Sequence, residues 1–351
     1  MISPWMLSIL RCPTCVRTEP DGDAGQLMRV GDRLVCASCS TNYAILQGYV
    51  DMRSSTELGG KETVYNDSSV NLDDPVIRDP VLSAGVRQRV LRLMLRPRQT
   101  DTLLDIGCGN GKFAYWNRQS AAHIVGLDPA ARFAPDALAT IDLVQGDARA
   151  LPFARGSFSG AYSIDVFEHL DLSGVRAHLR ETRRVLSPTG AYFCFSNTRE
   201  RSWLNHLIDP GRRAAESLHR IGVIDRSRDH LRKGDHVKAV KTAAALECEL
   251  ESGGFRLAHI WFLNPVIATY VETLSLAIVE QLLTHRKRRT DREPSSVPNP
   301  STRGVRDRAA QQPVVRFLLR VATALLMADV AFFRDVRTGP FFIVARPSSR
   351  R

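Results

Sequence analysis

The sequence is poor in aromatic residues, and its first residues do not have the pattern expected of a secretory leader. Aromatic residues make up 7% of the 351 residues, and no run of arginine, glycine and phenylalanine supports stacking on single-stranded RNA. The first eleven residues have no basic start followed by a long apolar core, so we expect a cytoplasmic location. Wholesale disorder is excluded because 44% of the residues are hydrophobic and 24% are charged.

Negative charge is in short supply as well. The formal net charge is +11 and the sequence pI is about 9.7. A basic balance indicates an anionic neighbour, either RNA or a phospholipid surface, and plain solubility is the alternative. The length predicts two to three units around a substantial core.

Four of the seven cysteines form two C-x-x-C pairs, Cys12 with Cys15 and Cys36 with Cys39. In a reducing compartment this spacing indicates metal binding rather than disulfides. Four thiolates suit one tetrahedral structural zinc ion, and so short a unit has little apolar mass to fold without the ion. The sequence therefore predicts a small N-terminal zinc ribbon.

The stretch T-L-L-D-I-G-C-G-N-G-K-F, residues 102–113, predicts a buried strand, a glycine turn and the start of a helix. Lys112 occupies the position where the dinucleotide fingerprint needs its third glycine, so that fingerprint is not met. The next predicted strand ends in Asp128, and an acid at about this distance suits a ribose diol. Another predicted strand ends in Asp147.

The pattern D-x-G-x-G-x-G resembles motif I of class I S-adenosylmethionine (SAM) methyltransferases. The segment S-F-S-G-A-Y-S-I-D-V-F-E-H-L, residues 157–170, resembles the fourth strand and turn of their type 11 family. The resemblance implies SAM as cofactor, with Asp147 and Ala148 at the adenine. The expected cofactor-binding residues are Asp105, Gly107, Gly109, Gly111, Asp128, Asp147, Ala148 and Asp165.

The type 11 resemblance also places E-H-L at the mouth where an acceptor would bind. His169 is a titratable ring at this point and is the candidate catalytic base. The same three residues occur with unlike acceptors in the family. The alternative is that Glu168 and His169 shape the turn or position the ligand.

Strand and helix alternate through the core, which predicts an α/β, doubly wound parallel sheet with ligands at the strands' carboxyl ends. By resemblance, we expect a seven-stranded Rossmann-like methyltransferase sheet, with a helical insertion before the last strand. The expected units are a zinc ribbon at 1–53, a linker and cofactor cover at 54–80, the core at 81–262, an apolar helical insertion with a basic loop at 263–339, and the last strand and tail at 340–351.

Two apolar runs in the insertion, 264–283 and 313–333, are each near the length that spans a bilayer. Both contain charged residues that disfavour spanning. The loop between them carries eight basic and three acidic residues from 286 to 308, so we expect interfacial helices on an anionic membrane surface, peripheral on its inner face. Packing on the chain's own core or in a dimer is the alternative.

The function hypothesis is methyl transfer to a small-molecule or lipid-linked acceptor. One rival is an rRNA or tRNA base methyltransferase, because a ribbon ahead of such a domain also resembles bacterial enzymes that methylate guanine N1 of ribosomal RNA. A second rival is an adaptor for a protein partner. The ribbon, with Tyr43 and Gly48 in place, resembles the activator subunit of tRNA and protein methyltransferases. The acceptor atom and the oligomeric state stay open.

Overall fold

A computed structural model describes residues 2–18, 24–53, 76–227, 230, 234, 236–279, 281 and 312–348. Most of the expected cofactor cover at 54–80 and the whole basic loop at 286–308 lie outside these residues.

Eleven strands of the described residues form one mixed sheet. They are β1 (Leu27–Val30), β2 (Arg33–Cys36), β3 (Asn42–Leu46), β4 (Tyr49–Asp51), β5 (Thr102–Ile106), β6 (His123–Asp128), β7 (Asp142–Gln145), β8 (Phe158–Ile164), β9 (Leu186–Asn197), β10 (Phe255–Phe262) and β11 (Pro340–Pro347). Their order is β1-β2-β3-β4-β7-β6-β5-β8-β9-β11-β10. Strands β4 to β9 pair in parallel, whereas β11 is antiparallel to both β9 and β10.

Helices cover both faces of this sheet. They are α1 (Pro4–Ile9), α2 (Pro13–Thr18), α3 (Leu82–Leu95), α4 (Lys112–Asn117), α5 (Pro135–Thr140), α6 (Leu172–Val185), α7 (Asn205–Arg220), α8 (Ala243–Ser252) and α9 (Pro313–Phe333), with a short turn at Val266–Ala268 that continues into a π-helix at Thr269–Leu276. One apolar core contains residues of α1, α6 and α8, and the other contains residues of α3, α4, α5 and α9. The predicted doubly wound α/β architecture is therefore confirmed.

The predicted count of seven strands is wrong because the N-terminal unit adds four strands to the same sheet. Strand β4 pairs in parallel with β7, and the amide of Met52 donates to the carbonyl of Gln145 at 2.8 Å. An edge strand presents unpaired backbone groups, and β4 satisfies those of β7. Helix α1 adds a side-chain contact, since Trp5 stacks on His123 with ring centroids 4.3 Å apart.

Helix α9 lies along α3 and packs one face on the core. The Thr323 hydroxyl accepts a hydrogen bond from the amide of Leu82 at 2.7 Å, and Leu326 is buried. The Asp329 carboxylate accepts from the amides of Ile267 and Ala268, at the start of the short helix. Within the described part of the chain, no helix combines the length and the apolar character needed to cross a membrane.

Candidate functional site

The glycine turn after β5 has a backbone that side chains would obstruct. Gly107, Gly109 and Gly111 all have positive φ angles, of 76°, 59° and 86°. A Cβ at Gly107 would lie 2.4 Å from Val166, and one at Gly111 would lie 2.7 Å from Ala137. A Cβ at Gly109 would meet nothing within 4 Å, so this glycine faces open space where a ligand can approach the backbone.

Backbone hydrogen bonds fix the turn against the end of β6. The amides of Gly107 and Cys108 both donate to the carbonyl of Leu127, at 2.8 and 3.0 Å. The amide of Gly109 donates to Oδ2 of Asp128 at 2.8 Å. The open face of the turn and the Asp128 carboxylate therefore lie side by side.

The structure brings the predicted strand-end residues to one edge of the sheet. Asp128 is in register with Gln145, two positions before Asp147. Asp165 follows β8, and its amide donates to the carbonyl of Phe195 at 2.9 Å. Because β5 to β8 are parallel, Gly107, Asp128, Asp147 and Asp165 all lie at the carboxyl edge, where α/β sheets bind ligands.

Asp128 has an environment suited to holding a ligand's hydroxyl groups. Burial raises its pKa to about 6, against the lowering effect of hydrogen bonds from the amides of Ala130 and Gly109. A carboxylate has about four acceptor positions, and the two amides use two of them. The others remain for a ribose diol above about pH 6.

The negative charge of Asp147 is balanced by Arg149, two positions later in the same loop. Arg149 donates to its carboxylate through the side chain, at 2.5 Å for the ion pair, and through the backbone amide at 2.8 Å. Burial disfavours the charged form, but the hydrogen bonds from Arg149 outweigh it and lower the pKa of Asp147. An adenine amine would share this carboxylate with Arg149. Ala148 is buried beside it.

Asp105 lies within β5 and is only 2% exposed. Burial raises its pKa to about 8, with Asp128 contributing in the same direction. Its Oδ2 atom makes no hydrogen bond within the described residues. A protonated carboxyl behind the turn would act on a ligand through the turn rather than by direct contact.

Asp165, the first residue after β8, is connected to α3 by an ion pair. Its φ of 59° is uncommon for a residue with a side chain, and strain of this kind concentrates at ligand sites. Its carboxylate forms an ion pair with Arg87 at 2.7 Å, and the Arg87 guanidinium lies 4.9 Å from the ring centre of Phe195. Sequence patterns gave no signal for Arg87, which lies in α3, ahead of β5 and the glycine turn.

The expected acceptor side contains three groups that lie together. Donor atoms of Glu168, His169 and His236 all lie within 4.8 Å of one another. The amides of Val237 and Lys238 donate to the carbonyl of Glu168, which holds His236 beside His169. The predicted site set lacks His236, and its one sequence signal is its place ahead of the sixth helix of the core.

The environment of Glu168 differs from that of a surface acid. Burial and the nearby Asp165 raise the pKa of Glu168 to about 7. Its carboxyl accepts a hydrogen bond from the Ser196 hydroxyl. Glu168 is therefore poised to exchange a proton near neutral pH, next to two histidines.

The four predicted metal ligands also converge. The Sγ atoms of Cys12 and Cys39 are 3.6 Å apart, and those of Cys15 and Cys36 are 3.7 Å apart. Thiolates at about 2.3 Å from a tetrahedral zinc ion lie about 3.8 Å from each other, so the spacing fits that ion. Thr41 contacts Cys39 and lowers its pKa to about 6, whereas burial raises the pKa of Cys15.

The residues at the strand ends fit SAM. Gly109 opens onto space beside the Asp128 carboxylate, so a nucleoside sugar can reach both. Asp147 and Ala148 follow the adjacent strand β7, whose Gln145 is in register with Asp128. The roles of the individual residues stay predictions.

Known methyltransferases and a methyltransferase family model match part of this chain. The type 11 family model for a methyltransferase domain matches residues 104–194. An uncharacterised methyltransferase of Synechocystis sp. is 29% identical over 141 residues, 37% of this chain and 64% of the relative. A tRNA U34 carboxymethyltransferase of Saccharophagus degradans is 30% identical over 107 residues, 27% of this chain and 32% of the relative.

A third relative is matched over more of its length. The ubiquinone/menaquinone biosynthesis C-methyltransferase of Dinoroseobacter shibae is 29% identical over 199 residues, 53% of this chain and 75% of the relative. Matched methyltransferase crystal structures are 13 to 17% identical, with TM-scores of 0.39 to 0.43, which carry no argument about the acceptor. The chain spans less than two thirds of the first two relatives. The chain therefore contains a SAM-dependent methyltransferase domain, matched at residues 104–194.

Proposed function

We propose that the protein transfers the methyl group of SAM to a small-molecule or lipid-linked acceptor at a membrane surface. The main support for methyl transfer is the glycine turn. Gly109 of this turn faces open space, and its amide donates to the carboxylate of Asp128. The similarity to the quinone-biosynthesis C-methyltransferase, which covers 75% of that relative, supports a small acceptor.

SAM supplies a methyl group already activated on a sulfonium. The chain's task is then to hold the acceptor in line at about 3 to 3.5 Å and to exclude water. In this proposal Asp128 accepts the ribose hydroxyls, Asp147 and Ala148 hold the adenine, and the Gly107–Gly111 backbone lets the ligand approach.

His169 is the proposed base where the acceptor atom carries a proton. It lies just past β8, with His236 and Glu168 close enough to pass a proton onward. The raised pKa of Glu168, about 7, suits it to that exchange near neutrality. An acceptor atom without a proton would need only positioning by these groups.

The membrane part of the proposal rests on the outer face of α9. While the inner face packs on α3, the outer face exposes a row of large apolar side chains at helical spacing. They are Val314, Phe317, Leu318, Val321, Leu325 and Phe332. Such a row, preceded in the chain by the basic stretch 286–308, favours an anionic bilayer interface.

RNA methylation is the second candidate. The net charge of +11 and the similarity to the tRNA carboxymethyltransferase favour it. The alternative of an adaptor for a protein partner is supported by Met28 and Val30, because these apolar side chains are exposed on the edge strand β1. A structural zinc ion held by Cys12, Cys15, Cys36 and Cys39 would stabilise that unit in each case.

One experiment separates these candidates. The purified full chain is incubated with methyl-labelled SAM and either a total lipid extract or total RNA from bacteria. We expect label in the lipid-soluble fraction, lost in Asp128→Ala. Label in RNA alone would establish the second candidate. Label in neither fraction would contradict both lipid methylation and RNA methylation.

The membrane part has its own test. We expect the full chain to float with anionic vesicles and Leu318→Ser/Leu325→Ser to lose flotation. The control is Met28→Ser/Val30→Ser, whose residues are similarly exposed (57% and 60%, against 58% and 54%) but lie on β1. Equal flotation of both variants would contradict a membrane role for α9.

A further inference from the structure

A cavity of about 440 Å³ lies outside the cofactor site, between α3, α4 and the segment before α3. Five arginines line it: Arg78, Arg89, Arg92, Arg118 and Arg320. Asp79 is the one acid in the described lining, and it pairs with Arg320 at 2.6 Å. None of the residues assigned to SAM lines this cavity.

Several of these arginines are held in place by the protein. The Arg92 side chain donates to Oδ1 of Asn117 at 3.0 Å and to the carbonyl of Trp116 at 2.8 Å. The Arg118 guanidinium lies 3.8 Å from the ring centre of Tyr115. Arginine side chains lose little further freedom when a ligand binds if they are already ordered.

So many cations around one space repel one another. Arg89 and Arg92 are neighbours on the same face of α3, three positions apart, where like charges destabilise a helix. A bound anion would relieve this repulsion, and guanidinium groups bind phosphate oxygens in pairs.

A second cavity, of about 510 Å³, adjoins the first and has a different character. It shares Arg89 and Arg92, and its other lining residues are the apolar Leu93, Ala324 and Met327. Ala324 is three positions after Val321, so this cavity lies next to the exposed apolar face of α9. The two cavities together offer a cationic end, which can bind an anion, and an apolar end.

We propose that this pair of cavities binds a phospholipid at the bilayer, with the phosphate headgroup among the five arginines and an acyl chain along Leu93 and Met327. This deepens the membrane part of the proposed function and rests on it. A free phosphate would use the arginines but leave the apolar cavity unused. RNA would likewise gain nothing from an apolar groove that continues onto α9.

The test compares vesicle binding of the full chain and two double variants. Arg89→Gln/Arg118→Gln alters the cavity, and Arg180→Gln/Arg256→Gln removes two exposed arginines from α6 and β10. Vesicles are phosphatidylcholine alone or phosphatidylcholine with phosphatidylglycerol in equal parts. We expect the cavity variant to bind the anionic vesicles roughly 25-fold more weakly, about 1 kcal/mol per arginine, and the control to stay within about threefold of the unaltered chain.

The other outcomes each overturn the inference. Equal losses in the two variants would mean general surface charge, and no loss in the cavity variant would mean that the cavity is not used. If the cavity variant loses binding to inorganic phosphate or to a single-stranded RNA oligonucleotide but keeps vesicle binding, the ligand is not a lipid. If Leu318→Ser/Leu325→Ser abolishes flotation while the cavity variant keeps it, the proposed function stands and the headgroup site fails.

Discussion

The Val166 side chain occupies the space into which a side chain at Gly107 would project. An ideal Cβ on Gly107 would lie 2.4 Å from Cγ2 of Val166. Gly107 follows β5 and Val166 follows β8, so this contact joins the glycine turn to the segment that leads to His169. The turn is thereby packed against the segment where we expect the acceptor to bind.

Gly107→Ala is expected to weaken SAM binding at least about tenfold, because the clash and the φ of 76° together displace the turn. Titration calorimetry measures this. Gly156→Ala is the matched control, since Gly156 also has a positive φ but no atom within 4 Å of its Cβ position. Adding Val166→Ala to Gly107→Ala should restore part of the binding, and a failure to do so would contradict the steric explanation.

Binding of SAM should depend on the ionised form of Asp128. Its pKa is raised to about 6, so below about pH 6 the carboxyl gains a proton and loses acceptor capacity. We expect the affinity to fall on acidification in the unaltered chain. In Asp128→Asn the affinity should be weak and nearly independent of pH over this range. Equal pH profiles for the two proteins would remove Asp128 from the site.

The buried Asp105 should make the fold less stable at high pH. Its pKa is about 8 in the folded chain against an ordinary 3.8, so the folded state binds more protons between these values. The free energy of unfolding therefore falls as pH rises from about 4 to about 8. Asp105→Asn should raise the melting temperature above about pH 8 and change it little near about pH 4.

Thermal denaturation followed at both pH values measures the effect. Asp335→Asn is the control, because its carboxyl is exposed to solvent. Parallel pH curves for Asp105→Asn and the unaltered chain would contradict the assignment.

His169→Asn should separate catalysis from cofactor binding. If His169 removes a proton from the acceptor, kcat falls by about 100-fold to 10,000-fold while the affinity for SAM is retained. His236→Asn should have a smaller effect in the same direction, since His236 touches His169 rather than the acceptor in this proposal. His259→Asn, on β10 and exposed, is the control. An unchanged kcat in His169→Asn would leave the residue a positioning role alone.

The cysteine cluster should carry one zinc ion per chain, measured by elemental analysis. Cys15→Ser should lose the metal and lower the free energy of unfolding by more than about 4 kcal/mol, because loss of a structural metal is among the most damaging single changes. Cys194→Ser is the control, as Cys194 is buried in β9 away from the cluster. Full stability of Cys15→Ser without metal would contradict a structural zinc site.

Local patterns were enough to predict the α/β alternation, the last strand and helix α9. The last strand predicted within 340–351 is β11, Pro340–Pro347, and the apolar run at 313–333 is α9, with the same bounds. Periodicity reports which residues are apolar and how often, which suffices for such elements. It does not report partners, and so the union of the N-terminal strands with β7 could not be predicted.

The sequence by itself determined the glycine turn, the acids at the strand ends and the two cysteine pairs, because each is a short-range pattern with one physical use. Only the tertiary structure decided that four N-terminal strands extend the core sheet, that His236 lies against His169, and that five arginines from several segments surround one cavity. The physical reason is that packing unites residues distant along the chain, and this depends on the shapes of whole surfaces rather than on local spacing.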